Sequence, residues 1–171
     1  MNYCSHHPLD FRRAEATDEQ ALAAIRREAI LTLAVPTLSI AEAETWARQV
    51  AADRFLRAIH EHEVWVAVAD SVIGWVEIER DRIAALYVAP LYARQGIGSA
   101  LLGHAEAVIR RAGYKTVHLD ASQNALAFYL RRAYRQAGPP ATDGAYPLYK
   151  ALTTERPNKH IAPCFSALSI E

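Results

Sequence analysis

Residues 88–114 read VAPLYARQGIGSALLGHAEAVIRRAGY, an apolar strand joined to a helix through a turn that contains Gly96 and Gly98. Glycine adopts backbone dihedrals closed to other residues and lets a backbone approach a ligand closely. The first turn of a helix leaves about four N–H groups without internal partners, and these donors and the helix dipole favour an anion. The turn therefore predicts either a phosphate site or a tight packing contact between strand and helix.

Two well-known phosphate-binding motifs fit this turn poorly. A P-loop ends in Gly-Lys-Ser/Thr, whereas Gly98 is followed by Ser99 and Ala100. A dinucleotide-binding fingerprint needs a third glycine, where this chain has Leu101, and an acidic residue about 20 positions on, after a second parallel strand. Asp120 has a suitable spacing, but the strands before the turn are predicted to be antiparallel. The P-loop is excluded, and the dinucleotide fold remains a minor alternative.

The strands before the turn follow from apolar patterning. Residues 64–70 form a nearly continuous apolar run, which is typical of a strand buried on both faces. Residues 72–81 alternate, so that Trp75, Glu77 and Glu79 share one face of the second strand. Residues 82–90 form the third strand, which Pro90 ends because proline cannot donate to a sheet ladder.

The remaining elements extend the pattern to both sides. A strand is predicted over 11–16, and helices are predicted to begin at two capping boxes, Thr17 with Gln20 and Ser39 with Glu42, the second helix running to about Ile59. His104 falls at the edge of the apolar stripe of the next helix and is expected to be a packed histidine. The last four predicted elements are a helix over 94–112, a strand over 115–122, a helix over 124–134 and a strand over 146–152. This order predicts one α+β domain over residues 1–152, with 153–171 as an extension that shows no periodicity.

Composition limits the classes of function. The 171 residues are 51% hydrophobic, and 19 basic side chains balance 19 acidic ones, so no global basic field favours nucleic acid. The runs IRR at 109–111 and LRRAYR at 130–135 are interpreted as solvated helix faces. No apolar run reaches the ~18–20 residues of a membrane helix, and the N-terminus lacks an apolar signal region. Cys4 and Cys164 form no CxxC pair, and His6-His7 has no ligand cluster near it, so we expect a cytoplasmic protein without a metal.

Two motifs resemble the GNAT superfamily of acyl-CoA N-acyltransferases. LYVAPLYARQGIGSALL at 86–102 is similar to the acyl-CoA motif of that family, and LDASQNALAFYLRRAY at 119–134 is similar to its later strand–helix motif. The order of elements over residues 10–152 agrees as well. The resemblance implies a mixed, mostly antiparallel central sheet with helices on both faces, in three layers. Ala93 departs from the glutamine or arginine usual before the first glycine, and Ala133 from the usual glycine.

The resemblance also implies a set of binding residues for acetyl-CoA as the cosubstrate. Main-chain groups of Leu86, Tyr87 and Val88 would bind the pantetheine arm, and backbone N–H groups of residues 94–99 would wrap the pyrophosphate. Asn124 would touch the pantetheine side, and Tyr129 would point at the thioester sulfur. The six residues of the pyrophosphate turn are Arg94, Gln95, Gly96, Ile97, Gly98 and Ser99.

Transfer of an acetyl group to an amine needs a base and an acid. Tyr129 is the predicted acid for the leaving thiolate. Relatives often carry a carboxylate on the strand equivalent to 82–90, but IAAL offers only apolar side chains there. Glu77 on the neighbouring strand is therefore the predicted base, with Glu79 and His118 as alternatives. Aromatic walls of the acceptor pocket are expected from Trp46, Tyr146 and Tyr149.

The sequence leaves the acceptor open. A small-molecule amine and a protein amine both fit an N-acetyltransferase that works by direct attack on the thioester. A non-catalytic acyl-CoA sensor is the main alternative, since the strand carboxylate is missing, and a nucleotide-binding domain is a third. A homodimer is a further expectation, whereas nucleic acid and membranes are not expected partners.

Overall fold

The computed structural model describes residues 9–33 and 38–152. Within these ranges the strands are β1 (Asp10–Arg13), β2 (Glu63–Val68), β3 (Val72–Glu79), β4 (Arg82–Val88), β5 (Thr116–Ala121), β6 (Arg135–Gln136) and β7 (Tyr146–Ala151). The helices are α1 (Glu19–Leu33), α2 (Ile40–Arg48), α3 (Arg54–Glu61), α4 (Ile97–Arg111) and α5 (Gln123–Leu130). The predictions on Cys4, His6-His7, Cys164 and the extension 153–171 lie outside the described residues. Among the helices described, none has the length and apolarity that crossing a membrane requires.

The seven strands form one sheet in the order β1-β2-β3-β4-β5-β7-β6. β4 and β5 are parallel neighbours, and every other adjacent pair is antiparallel. This mixed, mostly antiparallel sheet confirms the predicted fold class. The meander of β2, β3 and β4 also rules out the dinucleotide fold, which needs parallel strands at this place.

Helices cover both faces of the sheet, because successive side chains of a strand point to opposite faces. Trp75 of β3 is buried against Leu22 of α1 and Phe55 of α3, and its indole N–H donates to the Leu22 carbonyl at 3.1 Å. Val76, the next residue, packs in the opposite cluster with Leu101 of α4. α1 and α3 therefore lie on one face, and α4 lies on the other.

One of the two predicted capping boxes forms, and the other is replaced by a neighbouring pair. The box at Ser39 and Glu42 is confirmed: the backbone N–H of each residue donates to the side chain of the other. The box at Thr17 is wrong, because the backbone N–H of Glu15 donates to the Asp18 carboxylate at 2.8 Å instead. A short 3₁₀ turn over Ala16–Asp18 then precedes α1. Asp18 is fixed in this role by an ion pair with Arg12 of β1.

The single helix predicted from Ser39 to Ile59 is in fact two helices, α2 and α3. Arg26 of α1 donates to the carbonyls of Trp46 and Ala47, both at 3.1 Å, and so satisfies the C-terminal end of α2. Helix ends need such partners for their last carbonyls. Residues 49–53 contain no glycine or proline, so the local sequence does not mark the break; the contact with Arg26 does.

Smaller differences occur at β1, which is Asp10–Arg13 rather than the predicted 11–16, and around α5. The helix predicted over 124–134 ends at Leu130, and Ala133 has φ 65°. The chain then forms the short edge strand β6, which was not predicted. His104 is packed as expected, because its ring stacks on Phe11 with centroids 5.0 Å apart and meets the Trp65 ring edge-on at 4.4 Å.

Candidate active site

β4 and β5 begin as neighbours and then separate. Their ladder consists, among the described residues, of one register pair, Arg82 with His118, beside a backbone hydrogen bond of 2.9 Å from His118 N–H to the Asp81 carbonyl. Beyond that point residues 83–88 have no β5 partner. The two parallel strands therefore form a V that opens toward their C-terminal ends, and the three β4 residues predicted to bind the pantetheine arm, Leu86, Tyr87 and Val88, line its open part.

The open end of this V meets the N-terminus of α4. The first backbone hydrogen bond of the helix runs from Ala100 N–H to the Gly96 carbonyl at 3.0 Å. The backbone N–H groups of residues 94–99 have no acceptor within the described part of the chain. Six successive donors at the positive end of a helix dipole form a site for an anion such as a pyrophosphate.

The two glycines of the turn have different roles. Gly96 has φ 87°, the left-handed region that side chains with a Cβ avoid, so the turn needs glycine here. Gly98 has an ordinary helical place, and a Cβ would lie 3.6 Å from the Phe128 ring and 3.7 Å from Val88, which are normal contacts. Tight packing of strand on helix therefore does not require Gly98, which weakens the packing interpretation of the pair.

Arg132 is a site residue that the sequence interpretation missed. Its guanidinium donates to the Ser99 hydroxyl in the first turn of α4 and to the Phe128 carbonyl at 2.9 Å. The guanidinium carbon lies 3.8 Å from the centroid of the Phe128 ring. The run LRRAYR was interpreted as a solvated face, but Arg132 brings a positive charge to the free N–H groups. The signal lay in its position three residues after Tyr129, inside the motif LDASQNALAFYLRRAY, although Arg132 itself lies in the turn after α5.

Tyr129 lies in α5 and is buried in the cluster that also contains Leu86 and Val88. Burial, and to a smaller extent the neighbouring Tyr87, raise the pKa of Tyr129 well above that of free tyrosine. The phenol therefore stays protonated at neutral pH and offers an O–H donor. Its hydroxyl has no hydrogen-bond partner among the described residues, so the donor is free for a ligand.

Asn124 occupies the first turn of α5. Its side-chain oxygen accepts from the Ser122 hydroxyl at 2.8 Å, and its amide donates weakly, at 3.4 Å, to the carbonyl of Leu33 at the end of α1. Asn124 therefore lies between α5 and α1. No acceptor for its second amide hydrogen is found among the described residues.

A bulge in β4 lies at the closed end of the V. Glu77 pairs with Ala85, whereas the next residue of β3, Ile78, pairs with Ile83, which leaves Ala84 as an extra residue in β4. Such bulges re-aim side chains and often lie beside active sites. The bulge therefore connects the V with the carboxylate that was predicted to be the base.

Glu77 is almost completely buried, with 1% of its side chain exposed. One carboxylate oxygen accepts from Arg54 of α3 at 2.5 Å, and the other lies 2.6 Å from Nδ1 of His62. A buried carboxylate needs such partners, because an unpaired charge is costly away from water. Arg54 and His62 were missed from the sequence, since no motif connects them with Glu77.

A cavity of about 430 Å³ opens beside this cluster on the face of α3. Its walls carry charges of both signs and include the bulge residue; they comprise Arg54, Arg57, Ala58, Glu61, His62, Glu77, Glu79, Arg82 and Ala84. The volume falls within the ~300–1,000 Å³ that is usual for small-molecule sites.

Tyr87 connects the two parts of the site. Its ring packs on Trp75 at 5.2 Å between centroids. Burial raises the pKa of Tyr87; the nearby guanidinium groups of Arg26 and Arg54 oppose the rise, and Glu77 adds to it. Tyr87 also adds, after burial, to the raised pKa of Tyr129, the predicted acid.

The other residues predicted for the site have fewer contacts with the V and the cavity. Glu79 is exposed at the cavity wall. His118 is exposed, and its Nε2 lies 3.9 Å from an Asp81 oxygen rather than in the cavity lining. Trp46 packs with Tyr87 in the small core between α1 and α2, and Tyr146 and Tyr149 are half-buried on β7.

Comparisons with known proteins point to the GNAT acetyltransferases. The family model described as an acetyltransferase (GNAT) domain matches residues 18–147. An uncharacterized N-acetyltransferase, YafP of Escherichia coli, is 30% identical over 128 residues, which cover 74% of this chain and 81% of that protein.

Two solved structures are similar in fold. A GCN5-related N-acetyltransferase from Rhodopseudomonas palustris has a TM-score of 0.78 and 24% identity, covering 84% of this chain and 96% of the other. The PaiA N-acetyltransferase of Thermoplasma acidophilum, solved in complex with coenzyme A, has a TM-score of 0.71 and 21% identity, covering 84% and 99%.

Proposed function

We propose that this chain, which belongs to the GNAT acetyltransferase family, transfers the acetyl group of acetyl-CoA to a primary amine by direct attack on the thioester. The observation that carries the proposal is the V between β4 and β5, which ends at six free N–H groups. This combination provides an extended backbone for an amide-rich arm and an anion site at its outer end.

The cosubstrate would lie along the V. The backbone of Leu86, Tyr87 and Val88 would pair with the pantetheine amides, and Asn124 would contact the arm from α5. The pyrophosphate would accept from residues 94–99, with Arg132 nearby as a countercharge. The fold neighbour with coenzyme A supports this choice of ligand.

The acceptor arrives as an ammonium ion and must lose a proton before it attacks. An amine with a pKa of ~10.4 is free in only about one molecule in a few thousand at pH 7. We place this proton removal at the cluster of Glu77, Arg54 and His62, which borders the β4 bulge. Backbone N–H groups of the splayed strand would stabilise the oxyanion that forms on the thioester carbonyl.

Tyr129 would serve the leaving group. Its protonated phenol would donate to the sulfur as the carbon–sulfur bond breaks, which stabilises the thiolate. The free hydroxyl and the shared cluster with Leu86 and Val88 support this role.

The cavity supports a small amine as the acceptor, because its volume and its charged walls suit a small polar molecule rather than a peptide groove. The cytoplasm as the location and a homodimer remain predictions from the sequence.

The test is a screen for release of CoA thiol. Purified protein would be mixed with acetyl-CoA and a panel of polyamines, amino acids and aromatic amines, with mass spectrometry of the products. We expect at least one amine to be acetylated at a rate well above hydrolysis. Acetyl-CoA binding without acetylation of any amine would instead favour the non-catalytic sensor.

A further inference from the structure

We propose that His62 is the catalytic base of this acetyl transfer and that Glu77 is its positioning residue, an inference that rests on the proposed function. The decisive feature is a buried carboxylate whose two oxygens are both occupied. Glu77 meets Arg54 through one oxygen and His62 through the other, at 2.5 and 2.6 Å. Glu77 borders the cavity, but with 1% of its side chain exposed and both oxygens paired it has little carboxylate surface to offer an acceptor.

His62, in contrast, reaches the cavity. Its side chain is 26% exposed, and it lines the cavity at the β4 bulge. A carboxylate that accepts from Nδ1–H fixes the ring in the tautomer whose lone pair is on Nε2. No partner of Nε2 is found in the described part of the chain, so this nitrogen is available to a molecule in the cavity. The arrangement is the carboxylate–histidine pair that general bases use.

The position of His62 is fixed from three sides. Arg54 holds the second oxygen of Glu77, which leaves the first for the imidazole. Arg13 of β1 donates to the His62 carbonyl at 3.3 Å, and the His62 N–H donates to the Ala58 carbonyl at 2.9 Å. The charged and titratable groups that line the two cavities bordered by His62 are Arg13, Arg54, Arg57, His60, Glu61, Glu63, Glu77, Glu79, Arg80 and Arg82.

The acceptor ammonium loses two protons during the reaction. The ammonium gives one proton to Nε2 of His62, and the free electron pair attacks the thioester carbon. The carbon–sulfur bond breaks with its electron pair on sulfur, which takes the Tyr129 proton. The nitrogen of the new amide gives its second proton, through water, to the Tyr129 phenolate, and His62 releases its proton to solvent. Of the two protons lost by the acceptor, one is accounted for on the CoA thiol and one in solvent.

The first arm of the test needs no acceptor. Nitrogen-15 NMR of the imidazoles, with His62 assigned through the His62→Gln spectrum, reads the tautomer directly. We expect the neutral ring to carry its proton on Nδ1, and Glu77→Gln to weaken that preference. A wild-type ring with its proton on Nε2 would overturn the proposal, because that nitrogen would have no lone pair to take a proton from the substrate amine.

The second arm is kinetic and uses the amine with the highest rate in the acceptor screen. His62→Gln should lower kcat/KM about 10²- to 10⁴-fold, the usual contribution of a general base, and leave the Kd of acetyl-CoA unchanged. It should also remove the acidic limb of the pH–rate profile. His60→Gln, an exposed histidine two residues earlier at the end of α3, is the matched control and should retain wild-type kinetics.

The outcomes separate the two proposals. An active wild type with a His62→Gln variant within twofold of it would refute the base and leave the acetyltransferase standing. A wild type that acetylates no amine would overturn both.

Discussion

Tyr129 is the residue on which the leaving-group chemistry depends. Its hydroxyl is unpartnered in the described structure, and burial raises its pKa, so the phenol keeps its proton across the neutral range. Removing that hydroxyl should therefore affect the chemical step more than the fold.

Tyr129→Phe should lower kcat about 10²- to 10⁴-fold, the range usual for an acid catalyst, because the sulfur loses its donor. The Kd of acetyl-CoA and the thermal midpoint should change little, since the ring and its packing remain. Steady-state kinetics and calorimetry on the same preparations measure both quantities. An unchanged kcat would show that Tyr129 is only a core aromatic.

His104 gives a prediction on pH. Burial lowers the pKa of this imidazole, with Arg111 acting in the same direction and Glu63 opposing, and its buried Nε2 has no partner among the described residues. The pKa of His104 in the folded protein lies below its value of ~6.5 in the unfolded chain. The contribution of neutral His104 to stability is therefore fully present above pH ~6.5 and is lost as the pH falls from there toward the folded pKa.

The free energy of unfolding should therefore fall less between pH 7 and pH 5 in His104→Phe than in the wild type. Urea titrations at several pH values test this, with His60→Gln as the control for an exposed histidine. Parallel pH dependence in His104→Phe and the wild type would contradict the role of burial.

At the scale of elements, the N-terminus of α4 is the feature that a ligand would use. Its free N–H groups depend on a turn that has positive φ at both Arg94, 62°, and Gly96, 87°. The conformation of this turn thus matters more than the side chains it carries.

A matched pair of alanine variants separates conformation from packing. Gly96→Ala should destabilise the protein by ~1–2 kcal/mol, because a Cβ is strained at this φ. Gly98→Ala should be neutral or stabilising by ~0.4–1 kcal/mol, since it has room and restricts the unfolded chain. Thermal and urea unfolding measure both, and a large loss in Gly98→Ala would restore the packing interpretation.

Arg132→Met tests the countercharge at the same turn. Methionine retains contact with Phe128 but loses the guanidinium, and a hydrogen bond to a charged group contributes ~1.5–3 kcal/mol. We expect the Kd of acetyl-CoA to rise about 10-fold or more, with a smaller difference at high salt. Arg131→Met, an exposed neighbour, is the control; an equal effect of both variants would mean that only net charge matters.

Local sequence patterns predicted most helices and strands. They did not predict features that depend on tertiary contacts. The Ser39 capping box, the continuous apolar run of β2, the alternation of β3 and the proline after β4 can all be read from the local sequence. The end of α2 does not, because Arg26 supplies it from another helix. In the same way, the pairing of Glu77 with Arg54 and His62 depends on how α3 packs on the sheet, which no periodicity in the sequence encodes.

At the scale of the whole molecule, one sheet positions both halves of the site. The V of β4 and β5 opens toward the free N–H groups, and its closed end lies at the bulge beside the Glu77 cavity. The family motifs predicted the first half because the turn and α5 contain them. The second half comes from the meander and α3, where Glu77, Arg54 and His62 are far apart in sequence and no motif marks them.

Calorimetric titration of the purified protein with acetyl-CoA, with NAD as the control ligand, tests the central claim most directly. We expect saturable binding of one acetyl-CoA per chain and no binding of NAD. Absence of acetyl-CoA binding would contradict the proposed use of the V and the α4 turn, and with it the acetyltransferase function proposed for this chain.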